Sequence, residues 1–436
     1  MSEFKTVRGM RDFLPEEARM MKFVEGKARR VAELYRFKEI MTPVVESYEL
    51  LSAKAGEEVS SRMFVFKDLG GRDVALRPEF TASVARLVAT TLRTEPKPLR
   101  LFSIGSVYRY DEPQKGRYRE FWQSNYELMG SSKPEADAEI LLLTNSLMET
   151  SGLKNLVFKV GHVGVLRGIF TQEKLEEKVQ NTTMQLMDKK QYEEALKLVE
   201  DAGASKRCIS ILRELIELKG SDVFGIIKKM QKHVVDYGRA VEAAQNLYEI
   251  LKLVTETESK MNITVDAGFA RGLEYYTGVI FEVDIPELDV ALGGGGRYDR
   301  LIELFGGEPK PAVGVAHGID RIMLALQMQK AKLGICEEKA GVIIPIQEKL
   351  RGEALKIAQT LRSEGVPVEV EVMGRKMAKA LEDADRRRLD FAIIVGEKEL
   401  KEGAVAFRDL KQRSQCTVKI EEILRAVKGK TADQNR

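Results

Sequence analysis

Apolar side chains recur at helical spacing over residues 15–36. Met21, Val24, Ala28, Val31 and Tyr35 share one face, and Pro15, Glu16 and Glu17 suit the start of a helix. Strand-like patterns follow at 72–77 and 99–110. A polar stretch from Asp111 to Arg119 then separates 99–110 from a second strand-like run, Phe121 to Met129. This predicts two antiparallel strands joined by a loop rich in Arg and Lys. The loop is longer than the roughly two to five residues of a tight hairpin, which makes it a candidate for function. Residues 171–260 carry Lys, Glu, Leu and Met at helical spacing with few strand signals, and predict a helical insertion. Strands return at 262–268 and 277–285. A glycine run at 293–296 leads into a short helix, and 318–329 reads as another. Residues 330–339 read as a linker. From Ala340 the pattern alternates: Val342-Ile343-Ile344 as strand, 350–364 as helix, Val366 to Val372 as strand, 375–389 as helix, Phe391 to Val395 as strand. That alternation predicts a separate small α/β domain over 340–430, with 431–436 as a frayed tail.

At about 150 residues per domain, a chain of 436 residues suggests about three domains. A hydrophobic share of 44% supports a buried core, and 31% charged residues suit a soluble chain. The net charge of only +3 excludes a protein that coats a polyanion by bulk charge, and leaves room for a shaped nucleic-acid site. A small surplus of Lys and Arg beyond residue 340 reads, on charge alone, as a solvated surface. No apolar run reaches the ~18 residues of a membrane span, and Met1 to Lys5 lacks the apolar core of a secretory signal. Cys208, Cys336 and Cys416 are scattered and form no Cys-x-x-Cys pair. The histidines are His162, His233 and His317. Neither a disulfide framework nor a protein-built metal site is expected, and a reducing cytoplasm is the expected location.

Four clusters carry candidate chemistry. No Walker loop is present. The run Gly293-Gly294-Gly295-Gly296-Arg297-Tyr298 lacks the last Gly of Gly-x-Gly-x-x-Gly and follows no βαβ opening. Taken alone it predicts a tight turn against a neighbouring strand. The segment Tyr108 to Gln123 places Arg109 at a strand end, where it can project from a sheet face and grip phosphate with its fork of donors. Phe121 on the return strand can stack on a base; a hairpin whose charges only solubilise it is the blander reading. The third cluster is Arg271-Gly272-Leu273-Glu274-Tyr275-Tyr276-Thr277-Gly278. Its blander reading is packing, with adjacent tyrosines facing opposite sides of a strand. The fourth is Gly314-Val315-Ala316-His317-Gly318-Ile319-Asp320-Arg321, where the alternative for Arg321 is an ordinary surface ion pair.

The order and company of these segments resemble the histidyl-tRNA synthetase family of class II aminoacyl-tRNA synthetases, from Arg8-Gly9-Met10-Arg11-Asp12-Phe13-Leu14-Pro15 into the C-terminal domain. Pro43, in Ile40-Met41-Thr42-Pro43, resembles the motif 1 proline of the dimer interface. Arg109 to Phe121 resembles motif 2, and Gly314 to Arg321 motif 3. Arg271 to Tyr276 and Gly295-Gly296-Arg297-Tyr298-Asp299 resemble segments specific to the histidine enzyme. Gly374-Arg375-Lys376-Met377 and Ala392-Ile393-Ile394-Val395-Gly396 resemble the anticodon-binding domain of this subclass.

The resemblance implies an α+β fold: a class II antiparallel sheet with flanking helices over 1–329, the helical insertion, and a C-terminal α/β anticodon-binding domain. It implies a homodimer whose substrates are L-histidine, ATP with Mg2+, and histidine tRNA, with no prosthetic group. By the same resemblance, Arg109 binds the α-phosphate and Arg321 the γ-phosphate. Arg271 lies across the α-phosphate in place of a metal ion. Phe121 stacks on adenine, with Asp111 near the ring. Glu79, Thr81, Gln123, Glu127, Tyr275 and Tyr276 read histidine, together with Arg109 and Arg271. Gln114 and Arg119 are candidates to touch the tRNA end, and the insertion to contact the acceptor arm. The chain departs from the family pattern at Asp320, where motif 3 usually carries Glu, and at Phe80, where some relatives carry a small residue. Asp keeps the charge with a shorter reach, so activity is expected to be retained. The competing readings are a synthetase-like regulatory subunit of ATP phosphoribosyltransferase, a pseudo-synthetase that senses uncharged tRNA, and another class II specificity. Arg109, Arg271 and Arg321, together with the C-terminal domain, weigh against the first. The same arginines weigh against the second, and Arg271 to Tyr276 against the third.

Overall fold

The computed structural model describes residues 4–53, 56–271, 274–334 and 339–428. The chain divides into two compact units, Met1–Leu333 and Gly334–Arg436. Residues 335–338 of the expected linker, Gly272 and Leu273, and the expected tail lie outside the described residues.

The first unit opens with the helix Pro15–Leu34, which buries Met21, Val24, Ala28, Val31 and Ala32. Its start is fixed by Pro15 and by the Glu17 carboxylate, which accepts the Leu14 N–H at 3.3 Å. It stops two residues short of the sequence expectation, because Arg36 takes a left-handed φ of 62°. The helix lies against a sheet that has nine strands among the described residues. Their order is Lys38–Glu39, Leu99–Tyr108, Glu120–Met129, Ala312–Gly318, Gly293–Arg297, Val279–Asp284, Val157–His162, Ile263–Asp266 and Lys219–Gly220. From Leu99–Tyr108 across to Val157–His162 every neighbouring pair is antiparallel. The sheet is mixed only because Lys38–Glu39 pairs parallel with Leu99–Tyr108 and Ile263–Asp266 pairs parallel with Val157–His162.

The glycine run is not a turn. Gly293–Arg297 is a strand inside this sheet, paired on one side with Val279–Asp284 and on the other with Ala312–Gly318. Glycine is a poor strand former, and that misdirects a reading from propensity. Close approach is what requires it here: a Cβ at Gly295 would fall on the Gly314 carbonyl oxygen, and one at Gly294 on the Arg271 guanidinium.

The expected helical insertion contains Glu177–Asp188, Tyr192–Asp201, Lys206–Glu217, Val223–His233 and Gly238–Glu256. It also contributes the short edge strand Lys219–Gly220 to the main sheet. Its buried side chains, such as Leu212, Met230 and Leu247, are continuous with the core under the sheet.

The second unit has the strand order Val368–Val370, Gly341–Pro345, Phe391–Val395, Ala404–Asp409, Ser414–Lys419. The first three strands are parallel and are the alternation read from the sequence. The last two form an antiparallel hairpin absent from that reading. Ser414–Lys419 is almost wholly exposed, so it carries no apolar period.

Asp320 stands at the start of the helix Ile319–Met328 and fastens three segments together. One carboxylate oxygen accepts the Trp122 N–H at 2.6 Å, and the other pairs with the Arg11 guanidinium. Arg11 in turn stacks on Tyr118, its guanidinium carbon 3.6 Å from the ring centroid. The shorter side chain therefore reaches the strand Glu120–Met129 and the N-terminal segment from its own helix. With the Asp320 side chain 2% exposed, Asp320→Ala leaves a nearly buried N–H and a half-buried guanidinium unpaired. The expected loss of unfolding free energy in urea is about 2–4 kcal/mol. A loss under about 0.5 kcal/mol, the range of an ordinary surface substitution, would contradict this role.

Candidate active site

The antiparallel part of the sheet carries a cleft of about 250 Å³ on one face. Strand periodicity builds its floor. On Glu120–Met129, alternate residues Phe121, Gln123 and Asn125 reach the cleft, and Glu127 continues the same face. The glycines of the central strand leave backbone where side chains would otherwise fill the space, with Gly293, Gly294 and Gly295 in the lining.

Arg109, Arg271 and Arg321 all line this one cleft, although they are far apart along the chain. Each is oriented by main-chain carbonyls. Arg109 Nε donates to Pro78 O at 2.9 Å, and Arg271 Nη1 to Phe281 O at 2.9 Å. Arg321 donates to Gly116 O at 3.1 Å and to Ala291 O at 2.7 Å. Carbonyl partners fix a guanidinium without neutralising it. Burial pushes the Arg321 pKa down to about 10, and the charges of Arg109 and Arg117 push the same way. Burial also lowers the Arg109 pKa, and the Arg271 charge adds to that. Glu282 stands 3.8 Å from Arg271.

The long loop between the hairpin strands closes in a tight tip at Lys115-Gly116, where Gln114 and Arg117 exchange main-chain hydrogen bonds of 3.1 and 2.8 Å. Gly116 has a φ of 76°, which suits a residue without a Cβ, and its carbonyl is the one that holds Arg321. Phe121 lies under the Arg109 guanidinium, 5.4 Å from its carbon to the ring centroid.

The polar wall is a connected set. Glu79 accepts the Ala82 N–H at 3.1 Å and the Tyr275 hydroxyl at 3.2 Å. Burial raises its pKa, against the pull of those donors and of Arg109. Thr81 begins the helix Thr81–Ala89 and is itself buried. The Oε1 of Gln123 is buried without a protein partner, an acceptor held open in the cleft. Tyr275 and Tyr276 do not sit on opposite faces of a strand. They lie in a loop, both buried, with ring centroids 4.8 Å apart, and both line the cleft.

Glu127 lies one layer behind the lining. It accepts from Asn125 Nδ2 at 2.9 Å and from the Tyr298 hydroxyl, and burial pushes its pKa up to about 7. A Cβ at Gly314, on the neighbouring strand, would fall on this carboxylate. Asp111 stands at the rim with Arg62 Nη1 at 3.1 Å. Arg119 is placed otherwise than a contact to a large ligand requires: it is 5% exposed, with its guanidinium carbon 3.7 Å above the Tyr110 ring centroid and its Nε bonded to Asp111 O. The exposed side chains of the loop tip are Gln114, Lys115 and Arg117.

Arg62, Asn125, Asp188, Glu282 and Tyr298 also line the cleft and were not singled out as site residues in the sequence. Period-two counting from Gln123 reaches Asn125. Nothing local marks Asp188, which comes from the helical insertion. Among the described residues, no group of three or more His, Cys, Asp or Glu side chains is placed to hold a metal ion. No helix among them is long and apolar enough to cross a membrane.

An antiparallel sheet with motif 2 and motif 3 arginines converging on one face, followed by an α/β anticodon-binding domain, defines a class II aminoacyl-tRNA synthetase. The histidyl-tRNA synthetase family model matches residues 9–322, and an anticodon-binding domain model matches 341–430. A histidine–tRNA ligase of Methanocaldococcus jannaschii is 43% identical over 424 residues, covering 96% of this chain and 98% of its own. One from Pyrococcus furiosus is 39% identical, covering 97% of this chain and 98% of its own. The apo histidyl-tRNA synthetase of S. aureus superposes with a TM-score of 0.68 at 25% identity, over 98% of this chain and 100% of that one. A Bacillus halodurans chain described as an ATP phosphoribosyltransferase regulatory subunit/histidyl-tRNA synthetase gives 0.75 at 27% identity, over 88% and 97%. The chain belongs to the histidyl-tRNA synthetase family.

The raised pKa of Glu127 has a measurable consequence. Its folded-state value, about 7, lies above its ordinary value of 4.5. Its contribution to stability is therefore present below pH 4.5 and lost as pH rises through 7, when a buried carboxylate must ionise. In the ligand-free chain, the stability of Glu127→Gln relative to its parent is expected to rise by roughly 3 kcal/mol between pH 4.5 and 8. Urea unfolding at several pH values measures it, and a difference that stays flat with pH contradicts the assignment.

Proposed function

We propose that this chain activates L-histidine with ATP and transfers the histidyl group to the 3′ end of histidine tRNA, with the three arginines acting on the triphosphate. The observation that carries the reading is the convergence of Arg109, Arg271 and Arg321 in one cleft, oriented by carbonyls and left with surplus positive charge. A polyanion fits that field.

In the first step a histidine carboxylate oxygen bonds to the α-phosphorus, and the bond to the bridging oxygen breaks to release pyrophosphate. The carboxylate is already ionised near neutral pH, so no general base is needed. The work left to the protein is alignment and the stabilisation of charge that grows at the α-phosphate. Arg109 and Arg271 take that position, and Arg321 takes the γ-phosphate. Magnesium enters with the β- and γ-phosphates as part of the substrate. Phe121 offers a face to adenine, with Asp111 and Arg62 at the rim. The open Gln123 Oε1, with Glu79 and Thr81, suits the α-ammonium of histidine. Tyr275, Tyr276 and Glu127 form the imidazole end. Buried polar readers reject amino acids without matching nitrogens, because rejection leaves fewer groups unpaired than acceptance. In the second step a terminal ribose hydroxyl of the tRNA attacks the activated carbonyl carbon, the bond to the phosphate oxygen breaks, and AMP leaves with its phosphate taking up the hydroxyl proton. In this reading the exposed Gln114, Lys115 and Arg117 of the hairpin tip meet that end, and the anticodon-binding domain meets the anticodon.

The chain works as a homodimer in this reading, in the cytoplasm. Met41, Val44, Val45, Val65 and Phe66 stand exposed around Pro43 and the three-stranded sheet Val45–Ser47, Asp73–Leu76, Val65–Lys67, an apolar surface suited to a second copy. Arg77 holds the Pro43 segment against the main sheet by donating to Thr42 O at 2.9 Å and to Ser106 O at 2.9 Å. A purely regulatory role is not favoured, because the three arginines line one cleft and the anticodon-binding domain is present.

Pyrophosphate exchange into ATP is expected with histidine and with none of the other standard amino acids; absence of histidine-dependent exchange would contradict the proposal. Arg271→Ala is expected to lower exchange by roughly 10²–10³-fold while histidine still binds in calorimetry. Unchanged turnover would remove Arg271 from its assigned place.

A further inference from the structure

The helical insertion reaches the cleft through one side of a single helix. Glu177–Asp188 presents Asn181, Gln185 and Asp188 at successive helical spacings. Asn181 Nδ2 donates to Glu274 Oε2 at 3.1 Å, and Gln185 Nε2 donates to Glu274 Oε1 at 3.2 Å, so each carboxylate oxygen of Glu274 holds one amide of the insertion. Arg167, on the helix Val163–Gln172, donates to Asn181 Oδ1 at 3.0 Å and to the Glu274 main-chain oxygen at 3.5 Å. This fixes the Asn181 amide: its oxygen faces a cation and its nitrogen faces Glu274. Asp188, at the end of the same helix, lines the cleft.

Glu274 directly precedes the tyrosine pair in the wall of the cleft. The segment they share is neither helix nor strand. On its far side it is tied to the sheet by the Thr277 N–H, which donates to Arg297 O at 2.8 Å. On its near side the clamp on Glu274 ties it to the insertion. We propose that Glu274 is a positioning residue through which Asn181 and Gln185 of the helical insertion set the Tyr275–Tyr276 wall, so that histidine activation depends on how the insertion is seated. This rests on the assignment of the cleft to histidine activation. The clamp touches no reacting atom. It acts by holding the tyrosines, and a misplacement on the order of 1 Å in such a wall is enough to lower rates ~10²-fold.

The contact can be exchanged without being removed. Asn181→Asp keeps an acceptor for Arg167 but sets carboxylate against carboxylate at Glu274. Adding Glu274→Gln turns an amide donor to that carboxylate and leaves the amide oxygen for Gln185 Nε2. In histidine-dependent pyrophosphate exchange, Asn181→Asp is expected to lower kcat/KM for histidine by about 10–100-fold, with the KM for ATP within about threefold of the parent. Adding Glu274→Gln is expected to restore kcat/KM to within about threefold, a rescue that general loss of stability does not produce. An unaffected Asn181→Asp, or a double variant no better than it, overturns the inference. Should Asn181→Asp fail to fold, Gln185→Ala serves in its place; an expected fall of about tenfold supports the clamp and unchanged kinetics overturn it. Exchange by the parent chain is read first. Its absence would overturn the functional reading and this inference with it, whereas normal exchange beside an unaffected variant overturns the inference alone.

Discussion

Positive charge that is half-buried, aimed by main-chain oxygens and only partly balanced by carboxylate is the constraint on which the rest of the site depends. A buried guanidinium is usually stabilised by a carboxylate, as Arg297 is by Asp137, with oxygens 2.9 Å from both Nε and Nη2. The three cleft arginines are oriented by the carbonyls of Pro78, Phe281, Gly116 and Ala291, with the Glu282 carboxylate 3.8 Å from Arg271. That holds geometry and leaves the field for an incoming anion. Burial lowers the pKa values of Arg321 and Arg109, and the neighbouring guanidinium charges push the same way. In the proposed reading a polyphosphate relieves the repulsion between those charges and meets the guanidinium charge where negative charge grows in the reaction.

The sheet has to make room for this. Glycines at 293–296 and 314 leave a stretch of bare backbone, over which Arg271 crosses on one strand and behind which Glu127 fits on another. The polar wall completes the arrangement. Glu79, half-buried, and Glu127, buried, are carboxylates whose hydrogen-bond donors come from named neighbours, while one acceptor, Gln123 Oε1, is left over. The unfilled acceptor and the cluster of cations line one cleft, and the proposed reading gives the first to an ammonium and the second to a phosphate chain.

Much of this was legible in the sequence, for identifiable reasons. The hairpin strands, the N-terminal helix and the first part of the C-terminal domain carry clear periods, and the structure has them. The glycine strand reads as a turn in the sequence, because propensity argues against a strand and only the neighbours that a Cβ would strike argue for it. The strand Ser414–Lys419 was missed, because exposure erased its apolar pattern. Of the candidate site residues, Arg109, Arg271, Arg321, Glu79, Thr81, Phe121, Gln123, Tyr275 and Tyr276 converge on one cleft. Arg119 shows the limit of reading charge from a loop: its stacking on Tyr110 depends on the path of the chain near Gly9, whose carbonyl accepts the Arg119 N–H at 2.9 Å. Asp188 shows another limit, since a residue of the insertion reaches the cleft only through tertiary structure.

The most direct test is a crystal structure of the full chain with histidine and a non-hydrolysable ATP analogue. The account predicts phosphate oxygens within hydrogen-bond distance of Arg109, Arg271 and Arg321, and a histidine ammonium on Gln123 Oε1. A triphosphate bound elsewhere, or one that leaves any of the three guanidinium groups facing water, would contradict it.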